Sequence, residues 1–122
     1  MRAEELRIGN WFKEDTLEPK YAQITAEQIL DLYDDPLDDF YQPIPITEDW
    51  LLKFGFEKEK SDIPTFSKVF GRFIEDDYEH CLIINLDADD NLYTVFNGVK
   101  LILKYVNQLQ NLYFALTGEE LI

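Results

Sequence analysis

The residues of this 122-residue chain that could carry chemistry are one His–Cys pair and several groups of acids. His80 and Cys81 are the only residues of their types, and they are adjacent. Neighbouring side chains of a strand point to opposite faces, so these two cannot act together as base and nucleophile. One His and one Cys are too few ligands for a typical zinc site, and a single Cys excludes an internal disulfide. The pair therefore favours a structural role.

The acidic groups lie at predicted turns. Residues 87–91 begin like a calcium loop, but Leu92 stands where such a loop needs Gly, and Gly98 where it needs an acid, so a turn is favoured. Asp34–Asp35 and residues 75–77 could supply paired carboxylates for hydrolysis, although acids are common at turns. The sequence contains no Gly-rich phosphate loop and no Ser–His–Asp set. It therefore predicts no catalytic residue, cofactor or metal ion.

The net charge of −14 is concentrated in one region of the sequence. Residues 14–49 contain eleven acidic residues and one base, Lys20, which gives this region a net charge of −10. Direct binding to nucleic acid is not expected, because it needs a basic surface. The region is interpreted either as a solvated surface that maintains solubility or as a face that contacts a basic protein partner. For the second interpretation the candidate contact residues are Asp34, Asp35, Asp38 and Asp39.

The length predicts one domain over residues 1–122, with an acidic strand and two-helix region at 1–64 and a meander with a closing helix at 65–122. No apolar run is long enough to span a membrane, and the N-terminus has no apolar signal-peptide region. A cytoplasmic protein that does not contact membranes is therefore expected. The oligomeric state is left open.

The N-terminal region is predicted to contain strands and two short helices. A first strand, interrupted by a bulge or turn at Gly9, is expected, and a second strand at residues 21–24. Thr25 and Thr47 each precede a helical pattern as N-caps, and Gln28 completes a capping box with Thr25. The first helix should end before Pro36, and the second at Gly55.

The C-terminal half is predicted to be a four-stranded antiparallel meander. Strands are expected at residues 66–74, 80–86, 92–96 and 99–105, the second of them covered on both faces because it is nearly all apolar. Asn97-Gly98 is a strong hairpin signal that sets Thr94 opposite Leu101. The face containing Tyr93, Val95 and Ile102 should then be partly exposed to solvent.

A closing helix is predicted after the meander. Asn107 is expected to be its N-cap, with Gln110 completing the cap and Gly118 ending the helix. An apolar stripe at helical spacing should dock the helix on the meander and belong to the core; it comprises Leu109, Leu112, Tyr113 and Leu116. The fold class is thus α+β.

Two segments resemble a family of small uncharacterised proteins encoded in phages and prophages of gut anaerobes. They are PIPITEDWLLKFGF at residues 43–56 and the C-terminal segment from Tyr105, with its signature QLQNLYFALTGEEL; the opening LRIGN is also similar to the start of that family. Together they cover roughly a third of the chain. Family members usually have His at the position of Asn107. The resemblance implies a phage-related genomic setting and no known activity.

These features lead to one main functional hypothesis and two alternatives. The main one is a non-enzymatic, phage-related accessory or interaction protein whose acidic region contacts a basic partner. The first alternative is a small hydrolase or metal-dependent enzyme that uses turn carboxylates. The second is a structural subunit of an oligomer, in contact through the partly exposed strand face or a sheet edge.

Overall fold

The computed structural model describes residues 1–18, 20–59, 65–73, 78–87, 89, 91–96 and 98–121. Within this part the chain is an α+β protein with three α-helices and two antiparallel sheets, one of three and one of five strands. It divides into two compact units, Met1–Pro45 with Tyr105–Leu112, and Ile46–Lys104 with Tyr113–Ile122. None of the described helices is long and apolar enough to cross a membrane.

The first unit contains a 3₁₀ turn, three strands, a helix and the first part of the C-terminal helix. The turn is Ala3–Glu5, and the strands and first helix are β1 (Trp11–Glu14), β2 (Tyr21–Gln23), α1 (Ala26–Asp34) and β3 (Tyr41–Gln42). The strands are arranged in the order β2-β1-β3. The core of this unit is a cluster of buried apolar side chains from all these elements except β2, namely Ala3, Phe12, Ile24, Leu32 and Tyr41, with Ile24 preceding α1.

Two details of this unit differ from the sequence-based expectation. The turn expected at Gly9 is present, with φ +94°, but the residues before it form no strand, so β1 begins only at Trp11. Strand β3 is not among the predicted strands, yet Tyr41 pairs with Glu14 of β1 and is buried. The pairing forms because it places an aromatic ring beside Phe12, at 5.2 Å between centroids. A two-residue strand is too short to have a detectable period in the sequence.

Helix α1 begins and ends as the sequence predicts. The Thr25 hydroxyl accepts the Gln28 N–H at 3.3 Å, and the Gln28 side chain accepts the Thr25 N–H at 3.0 Å. This reciprocal pair is a capping box and satisfies two donors that a helix start leaves unpaired. The helix ends at Asp34, with Asp35 as C-cap immediately before Pro36.

The second unit contains one short helix and a five-stranded sheet. Its elements are α2 (Glu48–Lys53), β4 (Glu57–Glu59), β5 (Thr65–Phe73), β6 (Tyr78–Leu86), β7 (Leu92–Phe96) and β8 (Val99–Ile102). The strands follow one another in sequence order across the sheet. Its buried side chains include Trp50, Leu51, Phe54, Phe56, Phe66, Leu82, Ile84 and Leu103.

The sheet has one strand more than predicted and one buried face rather than two along β6. The added strand is β4, a Glu-Lys-Glu segment at the sheet edge whose residues are all exposed, so no apolar pattern marks it. In β6, Leu82 and Ile84 are buried, but Ile83 is 43% exposed. The prediction of a strand covered on both faces is therefore wrong: the face that contains Leu82 and Ile84 is buried, whereas Ile83 on the other face is partly exposed to solvent. The β7–β8 register is as predicted, with Thr94 opposite Leu101.

Helix α3 spans Val106–Thr117 and so begins two residues earlier than it would with Asn107 as its N-cap. The helix starts after Tyr105, whose N–H donates to the Gln108 side chain at 3.1 Å. The predicted cap by Asn107 is therefore wrong; Asn107 is the second residue of the helix and is buried. Gly118, with φ +73°, ends the helix as expected, and its N–H donates to the Phe114 carbonyl at 2.7 Å.

The predicted apolar stripe of α3 is only partly buried. Leu109 and Tyr113 are buried, at 0% and 5% exposure, whereas Leu112 and Leu116 are half-buried. Gln110, predicted to be part of a cap, is 1% exposed and therefore belongs to the interior.

Candidate functional site

The four predicted contact residues lie together at the end of helix α1. Asp34 is the last residue of the helix and Asp35 its C-cap; both side chains are exposed. The half-buried Asp38 accepts the Phe40 N–H at 3.0 Å, and the Asp39 carbonyl accepts the Gln42 side-chain amide at 2.6 Å. These bonds shape the turn, while the carboxylates of Asp34, Asp35 and Asp39 are on the protein surface.

The acidic end of α1 is also the end at which a helix is already negative. The aligned peptide dipoles place partial negative charge at the C-terminus, where basic residues are favourable and acids are not. Helix α1 has no basic residue in its last turn and ends with Asp34. Burial, and then the nearby carboxylates of Asp31 and Asp38, raise the pKa of Tyr41. The arrangement creates a negative potential with no local cation on the helix to offset it.

Large apolar side chains are exposed beside these acids. Leu30 and Tyr33 on α1 are 62% and 54% exposed, and Leu37 in the following turn is 88% exposed. Sequence reasoning missed this surface, because Leu30 and Tyr33 read as ordinary residues of a helical pattern. The burial of Leu32 on the opposite side of α1 decides which face is outside.

Of the carboxylates considered for hydrolysis, only Asp34 and Asp35 lie within the described residues. Asp34 and Asp35 are exposed at the surface turn, and residues 75–77 lie outside the described residues. His80 and Cys81 are consecutive residues of β6. Their side chains, like residues 75–77, lie outside the described part of the chain. In the described portion of the chain, no three His, Cys, Asp or Glu side chains are grouped so as to hold a metal ion.

Asp87 organises the turn that resembled a calcium loop. One oxygen, Oδ1, accepts the N–H groups of Asp89 and Asn91, both at 2.9 Å. The other, Oδ2, pairs with Lys100 Nζ at 2.9 Å. The Lys100 hydrogen bond and the Asn91 N–H lower the pKa of Asp87, and the same carboxylate raises the pKa of Lys100. Both carboxylate oxygens of Asp87 thus bind groups of the protein itself, so Asp87 acts as a residue that stabilises the turn.

A buried cluster of amides in the first unit joins α3 to the N-terminal segment. Gln110 Oε1 accepts the Trp11 N–H at 2.8 Å, and its Nε2 donates to the Gly9 carbonyl at 3.3 Å. Asn10 Nδ2 donates to Asn111 Oδ1 at 3.0 Å, and Asn111 Nδ2 donates to the Glu5 carbonyl at 2.7 Å. The sequence contained no signal for these pairings, because the partners are about a hundred residues apart. Their role is structural.

Asn107 lies beside an open cavity of about 260 Å³ in the same unit. Its side chain is 4% exposed, and its Oδ1 has no hydrogen-bond partner in the described part of the chain. The cavity is lined mainly by the N-terminal residues, two prolines and the first turn of α3: Met1, Arg2, Glu5, Pro36, Pro43, Tyr105, Asn107 and Gln108. The Oδ1 atom itself is covered, so it is not available to a molecule in the cavity.

Comparison with protein-family models, curated proteins and solved structures gave no match in any of the three.

Proposed function

We propose that this chain is a non-enzymatic, phage-related accessory protein that contacts a basic protein partner through its acidic 14–49 region. The observation that carries the proposal is the position of Asp34, Asp35, Asp38 and Asp39 at the negative end of α1. Like charges there destabilise the free protein, so their presence is explained best by a contact that neutralises them. The phage-related setting rests on the resemblance of the C-terminal signature.

Affinity capture with matched charge variants tests this function. The bait carries Asp34, Asp35, Asp38 and Asp39 all changed to Asn, which removes four charges and keeps an acceptor at position 38. The control bait has Glu57, Glu59, Glu119 and Glu120 changed to Gln, which removes four charges from exposed positions elsewhere. We expect a basic protein from the host lysate to be retained by wild type and control, and lost by the Asn variant. Equal capture by all three baits would contradict the proposal.

A specific observation also favours the second candidate, a subunit of an oligomer. Four aliphatic side chains on β5 to β8 are 43–57% exposed: Val69, Ile83, Val95 and Ile102. The register places Ser67 opposite Ile83, Asn85 opposite Tyr93, and Tyr93 opposite Ile102. Because alternate residues of a strand share a face, all four aliphatic side chains lie on one face of the sheet. Light scattering at increasing concentration tests this candidate, which requires a mass above 14.5 kDa that decreases when Val95 and Ile102 are changed to Thr.

A further inference from the structure

Two parallel strips of side chains run along the exposed side of α1. The apolar strip consists of Ala26, Leu30, Tyr33 and then Leu37 in the following turn, at intervals of four, three and four residues. Residues three and four apart are neighbours on a helix surface, so the first three form a continuous row. Each of the large side chains is more than half exposed. An apolar row of this kind on a solvent-exposed helix face is typical of an interaction surface.

The second strip is acidic and lies directly beside the first. It consists of Glu27, Asp31 and Asp34, at intervals of four and three residues, and all three are exposed. Like charges at these intervals repel one another, and the helix sequence Ala-Glu-Gln-Ile-Leu-Asp-Leu-Tyr-Asp contains no Lys or Arg to offset them. Asp34 also opposes the helix dipole. The strip is thus unfavourable in the isolated protein and would be stabilised by external cations.

We propose that these two strips together form the docking surface for a basic amphipathic helix of a partner protein. The inference rests on the proposed function and specifies its partner. The apolar stripe of the partner helix covers Leu30, Tyr33 and Leu37, while Lys or Arg residues along one side of that stripe pair with Glu27, Asp31 and Asp34. Packing along one stripe with charges at its flank is how paired helices recognise each other.

Charge complementarity decides between this occupant and others. A second copy of the chain would bring a like-charged acidic strip against this one, and an anionic membrane or a nucleic acid would be repelled in the same way. A neutral apolar segment would leave the acids without cations. The nine residues of α1 extend about 14 Å, so two to three turns of a partner helix, roughly 8–11 residues, are enough to cover them.

Two synthetic peptides of identical Leu and Lys composition test the inference on the full chain. In the patterned peptide Leu recurs at helical spacing, so that one face is apolar; in the scrambled peptide it does not. We expect the patterned peptide to bind more tightly by about tenfold or more in a calorimetric titration, because only it can cover the apolar strip. Equal binding of both peptides would overturn the inference.

Variants of the apolar strip provide the second arm. Changing Leu30, Tyr33 and Leu37 to Ala should reduce the affinity for the patterned peptide by about tenfold and remove its advantage over the scrambled one. The matched control changes Val69, Val95 and Ile102 to Ala, three similarly exposed residues in the other unit, and should bind as wild type. Circular dichroism and thermal unfolding show that each variant is folded. A strip variant that binds like wild type would contradict the inference.

The variant with four Asp-to-Asn changes, which is also the bait for affinity capture, distinguishes a failure of this inference from a failure of the proposed function. If changing Asp34, Asp35, Asp38 and Asp39 to Asn weakens both peptides while the strip variant has no effect, the basic-partner function stands and the helix-docking inference fails. If the Asn variant binds both peptides as wild type does, the basic-partner function itself fails.

Discussion

At the scale of single residues, Gln110 is the clearest case of a polar side chain with a defined structural task. Its amide satisfies the Trp11 N–H and the Gly9 carbonyl, two backbone groups of the N-terminal segment, while itself 1% exposed. A buried backbone group that loses its partner costs about 1–3 kcal/mol. The Gly9 carbonyl also accepts the Gln23 side-chain amide at 3.2 Å, so the main contribution of Gln110 is its bond to the Trp11 N–H.

Changing Gln110 to Ala should lower the free energy of unfolding by about 1–3 kcal/mol, because it removes the Trp11 N–H acceptor and one of two donors to the Gly9 carbonyl. Urea denaturation measures the loss. Gln108→Ala is the control, since Gln108 is exposed and its side chain accepts the Tyr105 N–H at the helix start; its cost should stay below about 1 kcal/mol. Equal losses for the two variants would show that the buried pairing does not contribute.

Asp87 gives a pH-dependent prediction. Its pKa is lowered in the folded protein from 3.8 by Lys100 and by backbone N–H groups. A carboxyl with a lowered folded pKa contributes stability above its unfolded pKa, and this contribution is lost as the pH falls through the folded value. Wild type should therefore lose stability below about pH 4 more steeply than Asp87→Asn. In Lys100→Gln, an NMR titration should show the Asp87 pKa closer to its ordinary value; an unchanged pKa would contradict the pairing.

At the scale of elements, the end of α2 depends on one glycine. Gly55 has φ +87°, and the N–H groups of Gly55 and Phe56 donate to the Leu52 and Leu51 carbonyls, both at 3.0 Å. This pattern satisfies the last carbonyls of the helix and needs a left-handed residue. Lys68 adds a further bond from its ammonium to the Phe54 carbonyl at 2.7 Å.

Gly55→Ala should destabilise the protein by about 1–3 kcal/mol, through the left-handed backbone and a Cβ that would lie 2.8 Å from Lys68 Nζ. The loss should shrink in a Lys68→Ala background, which removes the clash, as a double-mutant cycle of thermal unfolding would show. Gly118→Ala, at φ +73° with open space around it, isolates the backbone cost. A Gly55→Ala loss no larger than that of Gly118→Ala would contradict the role of Lys68.

In helix α1, a charge that favours binding of the basic partner should also lower the stability of the free protein. Asp34→Lys places a base at the negative end of the helix and near Asp31, and should stabilise the protein by about 0.5–1 kcal/mol. The same change should weaken binding of the patterned basic peptide, because it reverses a charge of the acidic strip. Chemical denaturation and titration of one preparation measure both effects. A variant that is less stable than wild type would refute the electrostatic account of α1.

At the scale of the whole molecule, the net charge of −14 should make stability depend on salt. Raising the ionic strength from about 0.01 to 0.1 M shortens the screening length from about 30 to 10 Å and weakens repulsion among the acids. The unfolding temperature should rise by a few degrees over this range. The variant with Asn at positions 34, 35, 38 and 39 should respond less, and an equal response would place the repulsion elsewhere in the chain.

Local signals in the sequence predicted the elements that local chemistry governs. The Thr25–Gln28 box, the Thr47 start, the Gly55 and Gly118 ends and the β7–β8 register are all found in the structure, because each depends on residues a few positions apart. The cluster Asp34, Asp35, Asp38 and Asp39 was likewise visible as composition. Its position at the negative end of α1, beside exposed Leu30 and Leu37, was not.

The sequence by itself therefore determined the α+β class, both ends of α1 and α2, the end of α3 and the hairpin set by its turn. Only the tertiary structure decided which residues are partners over long separations. Gln110 was expected to be a cap and is a buried partner of Trp11, and the fully exposed segment Glu57–Glu59 is an edge strand paired with β5. The physical reason is that hydrogen-bond partners distant in sequence leave no periodic signal, and a face is exposed or buried only once its neighbours are in place.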